Sequence, residues 1–187
     1  PQGPGIQDSA VPFGASALSW LGIDHNETWG TGKKIAIIDT GIVEHPTLNA
    51  EQVGNAQDFV EVDGATTTEI NGHGTAVASV AAGTHAAAPG VAPAAEVLSF
   101  RVADSDGNSD SFTLAQGILA AAKAGADVIN ISLGSSGDSG VVQEAVNAAM
   151  AAGSTIVAAA GNNGTGFLSY PAAYEGVISV GSIDASG

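Results

Sequence analysis

Lys33-Lys34-Ile35-Ala36-Ile37-Ile38-Asp39-Thr40-Gly41 is the stretch on which the fold reading turns. Two lysines lead into a β-branched apolar run that ends in a carboxylate, a hydroxyl and a glycine. The run has no polar face, so it reads as a strand buried on both sides, with Asp39 at its carboxyl end. Working outward, Glu96–Val102, Asp127–Leu133, Thr155–Ala160 and Val177–Val180 read as further strands. His73–Gly83, Ser111–Gly125 and Asp138–Gly153 read as helices between them, with Ser111 as N-cap and Gly125 as C-cap of the second. Strands that alternate with helices and lack a wet face imply a parallel sheet covered on both sides. The expected fold class is therefore α/β: a doubly wound, mainly parallel sheet with helices on both faces. In such sheets function gathers outside the carboxyl ends of the strands. That rule places Asp39, Ser132-Leu133-Gly134 and Gly161-Asn162 along one edge.

Composition narrows the function classes. The chain has 187 residues, a length that suits one domain or part of one. Four Lys+Arg against 19 Asp+Glu give a net charge of −15. Nucleic acid and anionic membrane surfaces are poor partners for such a surface. With 44% hydrophobic and 12% charged residues, this is not an acidic disordered chain. The absence of cysteine excludes disulfides, thiolate metal sites and thiol catalysis. Long uncharged stretches such as Gly74 to Ala95 are broken by Pro, Gly, Thr and His and do not read as membrane spans. The chain begins with Pro1 and shows no signal peptide, the start expected of a processed or engineered chain.

Three residues stand out chemically. Asp39 ends a buried strand, where an unpaired carboxylate is costly. It either caps the following turn or holds a partner. His73 lies in Asn71-Gly72-His73-Gly74-Thr75 at a helix start, between glycines that permit a sharp bend and close approach. An Asp–His pair from two elements is the arrangement that general-base catalysis uses. Asn162 follows a strand in Ala159-Ala160-Gly161-Asn162-Asn163-Gly164. Its amide either donates to a developing oxyanion or belongs to a left-handed turn. His25, His45 and His85 read as turn or solvated residues. A nucleotide-binding domain is disfavoured. Gly30-Thr31-Gly32 precedes a strand instead of following it, and Gly161-Asn162-Asn163-Gly164-Thr165-Gly166 has the wrong glycine spacing.

In order and spacing, Asp39-Thr40-Gly41, Gly72-His73-Gly74-Thr75, Asn130-Ile131-Ser132-Leu133-Gly134 and Ala159-Ala160-Gly161-Asn162 resemble the subtilisin-like serine proteases. Gly90-Val91-Ala92-Pro93, Tyr170-Pro171-Ala172, Val177–Gly181 and the lead-in Val11-Pro12-Phe13-Gly14 extend the resemblance over nearly the whole chain. It implies that residues 1–187 are the N-terminal portion of a single peptidase domain. By the same resemblance Asp39 orients His73, His73 is general base and then acid, and Asn162 donates to the oxyanion. Ser132, Leu133 and Gly134 pair with an extended polypeptide substrate, and Ala159 and Gly161 line the other side of its primary pocket. Leu133, Gly134, Ala159, Gly161 and Ser169 carry no charge, so an apolar substrate side chain is expected there.

The sequence also departs from the family pattern. No Gly-Thr-Ser motif occurs, so the nucleophile is expected from a segment or a second chain after residue 187. The alternative is an inactive peptide-binding fragment or pseudoprotease. The family's usual calcium site needs a loop insertion after the first helix and an Asp after the His-Pro turn. Here Gly83–Val91 is short and the turn reads His45-Pro46-Thr47. No cofactor is expected to be required, and no metal ligand is assigned. Asp104-Ser105-Asp106-Gly107-Asn108-Ser109-Asp110 has three open readings: a solvated acidic loop, an acidic subsite for a basic substrate residue, or a weak calcium loop. Secretion is implied by the resemblance.

Overall fold

The computed structural model describes residues 18–19, 22–60, 72–162, 166 and 168–182. Val11–Gly14, Asn71 and Asn163 lie outside the described residues. The elements are β1 (Lys34–Asp39), β2 (Val53–Asp58), α1 (His73–Ala82), β3 (Glu96–Arg101), α2 (Ser111–Lys123), β4 (Val128–Ile131), α3 (Gly140–Ala151), β5 (Thr155–Ala159) and β6 (Ile178–Val180). The strands form one sheet in the order β2-β3-β1-β4-β5-β6. Every pairing is parallel. After β1 the chain builds one half of the sheet as β2 and β3. It then crosses β1 to build the other half as β4, β5 and β6. The carboxyl end of β1 is therefore the point where the winding changes side, the usual place for a site in an open α/β sheet.

Alternate residues of β1 feed two cores. Ala36 and Ile38 pack with Leu98, Phe100, Ile129, Ile131 and Ile156 against α2 and α3. Ile37 and Val97 pack on the opposite face against Ala78 and Ala82 of α1, with Leu48. That two-sided burial explains why β1 reads as a continuous apolar run. Each fully buried isoleucine contributes roughly 2 kcal/mol by leaving water.

Helices α2 and α3 end alike. Gly125 has φ 77° and Gly153 φ 98°, conformations that cost a side chain energy and glycine little. Ala126 N donates to Ala121 O and Gly125 N to Ala122 O; Ser154 N donates to Ala149 O and Gly153 N to Met150 O. These paired bonds satisfy last-turn carbonyls and turn the chain back into the sheet.

Three expectations change. The C-cap of α2 is Ala124, and Gly125 is the left-handed residue after it. The N-cap of α2 is Asp110, not Ser111. Asp110 Oδ1 accepts from the backbone N–H of Phe112 and Thr113 at 2.8 and 3.0 Å. The carboxylate one residue earlier reaches those two free amides, and Ser111 becomes the first helical residue. Strand β2 has no counterpart in the sequence reading. It is an edge strand whose register shifts between Gly54 and Gln57, with Asn55 at φ 46°. Such a strand carries no apolar alternation.

The Thr113 hydroxyl and the backbone amides of Thr113 and Phe112 hold the Asp110 carboxyl below the usual carboxylate range. Its capping contribution is therefore present above the ordinary carboxylate pKa and fades as pH falls through the lowered folded-state value. Asp110→Ala costs about 1 kcal/mol at neutral pH. In urea unfolding over a pH series, the wild-type and variant curves converge in acid. A gap independent of pH contradicts the assignment.

Candidate active site

β1 delivers Asp39, and α1 delivers His73 as its first residue. Gly72 sets up the turn into α1 with φ 75°. The next glycine controls the distance. A Cβ at Gly74 would run into the Gly41 carbonyl oxygen and meet Asp39 Cβ at 3.2 Å. The helix thus begins in direct backbone contact with the turn that follows β1. Gly74 N donates to Thr40 Oγ1 at 3.1 Å, and Val43 N donates to Thr75 Oγ1 at 3.1 Å.

The outcome is a hydrogen bond of 2.7 Å between His73 Nδ1 and Asp39 Oδ1. Asp39 is wholly buried, whereas the His73 side chain is 54% exposed. A carboxylate bound to Nδ1 fixes the orientation of the ring and leaves proton exchange with a reactant to the other nitrogen, Nε2. Thr40 N also donates to Asp39 Oδ1 at 2.8 Å. Asp39 Oδ2 is buried and accepts no hydrogen bond, so His73 and Thr40 N–H supply the compensation for a buried charge. Asp39 does hold the turn after β1, and it holds the histidine as well. Both readings of this residue are realised together.

The other expected residues fall into two groups. Ser132, Leu133 and Gly134 run on from β4, and Ser132 Oγ accepts from Asn130 Nδ2 at 2.9 Å. Ser135 and Tyr170 then form an antiparallel bridge, with N–H to carbonyl distances of 3.0 and 2.8 Å. Ala159 ends β5, Gly161 has φ 95°, and Asn162 is exposed just beyond it. Ser169 joins the groups. A Cβ at Gly134 would meet Ser169 Cβ at 2.9 Å, and one at Gly161 would meet Ser169 Oγ. The two expected pocket walls therefore converge on a buried serine. The described contacts do not bring Asn162 to the Asp39–His73 pair.

Beside Leu133–Ser135 lies a cavity of about 160 Å³ between the loop before α2 and the start of α3, with Leu114, Leu133, Val142 and Tyr174 among its lining residues. The Tyr174 hydroxyl lies 2.9 Å from Asp138 Oδ1 and accepts from Ser139 N at 3.1 Å, which ties the floor to the entry of α3. On the acidic loop, Asp104 Oδ1 accepts from the backbone N–H of Asn108 at 2.8 Å and of Asp106 at 3.0 Å. The Asn108 amide, above all, holds the Asp104 carboxyl below its usual range. Asp104 thus builds its own turn. Among the described residues no cluster of three or more His, Cys, Asp or Glu is placed to hold a metal ion.

Comparison with known proteins agrees with this geometry. Residues 30–187 match the Subtilase family. This chain belongs to that family. It is 38% identical over 177 residues to Subtilisin Savinase of Lederbergia lenta, covering 94% of this chain and 64% of that protein. It is 44% identical over 159 residues to Thermitase of Thermoactinomyces vulgaris, covering 83% of this chain and 56% of the relative. The solved structure of Sphericase superimposes with a TM-score of 0.79 at 34% identity, over 92% of this chain and 60% of that one. The chain thus spans less than two thirds of the length of these relatives. The fold is subtilisin-like, and the relation is to the subtilisin serine proteases.

Two features of this subtilase escaped the sequence reading. One is Arg101, which is 4% exposed and paired with Asp58. The other is Gln52, whose Nε2 meets three carbonyl oxygens. A lone Arg in an apolar strand is a visible sign of a buried partner. Gln52 gives no such sign.

The contact at Gly74 is testable through stability. Ala is the better helix former by about 1 kcal/mol. Overpacking against a backbone carbonyl costs about 1–3 kcal/mol. Gly74→Ala is therefore expected to lower the urea midpoint. A raised midpoint would show that α1 and the Asp39 turn are not in contact.

Proposed function

We propose that this subtilase domain is the Asp-His half of a secreted serine endopeptidase, with the nucleophile supplied by a segment or chain after residue 187. The observation that carries the reading is the 2.7 Å bond from buried Asp39 to half-exposed His73. In the mechanism, His73 Nε2 takes the proton of the attacking serine and returns it to the leaving amine. Asp39 holds the ring and stabilises the imidazolium without itself taking the proton. Asn162 donates its side-chain N–H to the oxyanion of the tetrahedral intermediate. Ser132, Leu133 and Gly134 offer backbone groups to an extended substrate. Leu133, Gly134, Ala159, Gly161 and Ser169 wall an uncharged primary pocket for an apolar side chain. An extracellular location fits the acidic, cysteine-free chain. No helix among the described residues is long and apolar enough to cross a membrane.

The test is hydrolysis of a peptide library by the full-length protein. His73→Ala is expected to lower kcat by about 10⁴-fold or more. Cleavage is expected after apolar residues. Equal activity in the variant contradicts the mechanism, and preferred cleavage after Lys or Arg contradicts the pocket.

We also propose that the loop after α1 is held without calcium. The resemblance would call for an Asp ligand after the His-Pro turn. Thr47 stands there, its hydroxyl 2.6 Å from Ser79 Oγ and 2.7 Å from His45 Nδ1, while its carbonyl accepts from Thr84 N. Beside it, Gln52 Nε2 lies 2.9, 2.9 and 2.8 Å from the carbonyl oxygens of Ala82, Pro93 and Ala95. An amide nitrogen with two hydrogens thus gathers three carbonyls from the end of α1 and the approach to β3, the task a cation would otherwise perform. Gln52→Leu leaves those carbonyls underpaired and is expected to cost about 2 kcal/mol. In thermal unfolding the deficit should be equal with calcium and with chelator. Selective rescue of the variant by calcium contradicts the proposal.

A further inference from the structure

The carboxyl ends of β1, β2 and β3 meet at one buried cation. Arg101 ends β3 and is the register partner of Asp39 on the adjacent strand. In parallel strands, register partners point to the same face of the sheet. Asp39 and Arg101 therefore share the α1 face, and both are buried. Arg101 Nη1 donates to Asp58 Oδ2 at 3.0 Å, and its Nε donates to the Ala103 carbonyl at 3.4 Å. Asp58 Oδ1 accepts from Val60 N, and the Arg101 carbonyl accepts from Phe59 N, so the end of β2 is tied to the end of β3.

The Arg101 stem reaches the other way. A Cβ at Gly41 would meet Arg101 Cδ at 3.4 Å and its Cβ and Cγ at 3.6 Å. The stem thus lies alongside Gly41, one van der Waals layer from where a side chain there would begin. The Gly41 carbonyl is the group on which Gly74 rests. One line of contacts therefore runs from Asp58 through Arg101, Gly41 and Gly74 to the turn that presents His73.

We propose that Arg101, anchored by Asp58, is a positioning residue for the Asp39–His73 pair. It does not touch substrate. It seats the Gly41 turn against which α1 sets its first residue, and so holds His73 at hydrogen-bonding distance from Asp39. A buried Arg–Asp pair is often neutral for stability, because desolvation offsets the attraction. Its value here lies in geometry. The inference rests on the protease reading of the dyad for its kinetic arm only.

The experiment uses the full-length protein with Arg101→Met, Arg101→Lys and Asp58→Asn. One readout is the far-downfield proton resonance of His73 Nδ1, which reports the short bond to Asp39 and needs no turnover. The other is kcat against KM on a peptide substrate. Arg101→Met is expected to broaden or erase the resonance and to lower kcat about tenfold or more, with KM unchanged. Arg101→Lys keeps the charge and much of the stem, and it should restore kcat to within about threefold of wild type. Asp58→Asn should shift both readouts in the direction of Arg101→Met by a smaller amount; it carries the test if Arg101→Met does not fold. A folded Arg101→Met, or in its absence Asp58→Asn, that melts at lower temperature with resonance and kcat unchanged overturns the proposal and leaves Arg101 a purely structural residue. If the wild-type protein cleaves no peptide, the protease reading fails, and the resonance still decides the role of Arg101.

Discussion

A buried carboxylate at the end of a central strand is an expensive thing to build, and most of the site's architecture supports it. Asp39 is fully buried, yet one of its oxygens accepts no hydrogen bond. Its charge is compensated by the Thr40 amide and by His73. That compensation requires α1 to start in backbone contact with the turn after β1. The contact in turn requires glycine at position 74, where a Cβ would run into the Gly41 carbonyl oxygen. The 2.7 Å bond is therefore the geometric consequence of how β1, its turn and α1 pack.

The same close approach recurs where the segments after β4 and β5 meet. Gly134 and Gly161 both come against Ser169, and neither leaves room for a Cβ without displacement. Glycine at 74, 134 and 161 lets the backbone come close to a neighbouring group near the carboxyl edge of the sheet. Buried and half-buried polar side chains then fasten the loops that remain. Arg101 joins β2 and β3 beside the dyad, Gln52 gathers carbonyls behind α1, and Ser154 Oγ donates to the Ala126 carbonyl.

Much of this was legible from residues alone. The run Ile35–Ile38 is apolar on both sides because both of its faces are covered. That makes the parallel sheet, and the placement of Asp39 at its carboxyl edge, readable. The pairing with His73 was readable from chemistry and from the resemblance. Strand β2 was not, because an irregular edge strand buries too little to leave an apolar pattern. The cap of α2 was misplaced by one residue because Asp110 and Ser111 are both good cap formers. Where the backbone turns helical decides between them: Asp110 is still extended, at φ −119° and ψ 164°, and Ser111 is already in the helix. The roles of Arg101 and Gln52 depend on what separate segments place around them, and sequence spacing does not encode that.

The central claim is that Asp39 and His73 activate a serine that lies after residue 187. The most direct measurement is intact-mass and fragment analysis of the full-length protein after exposure to a fluorophosphonate, which marks an activated serine by displacement of fluoride. The account predicts a single adduct, on a serine beyond residue 187, that does not form in the His73→Ala variant. An adduct on Ser132 or another serine of this chain, or labelling that is indifferent to His73, would contradict it.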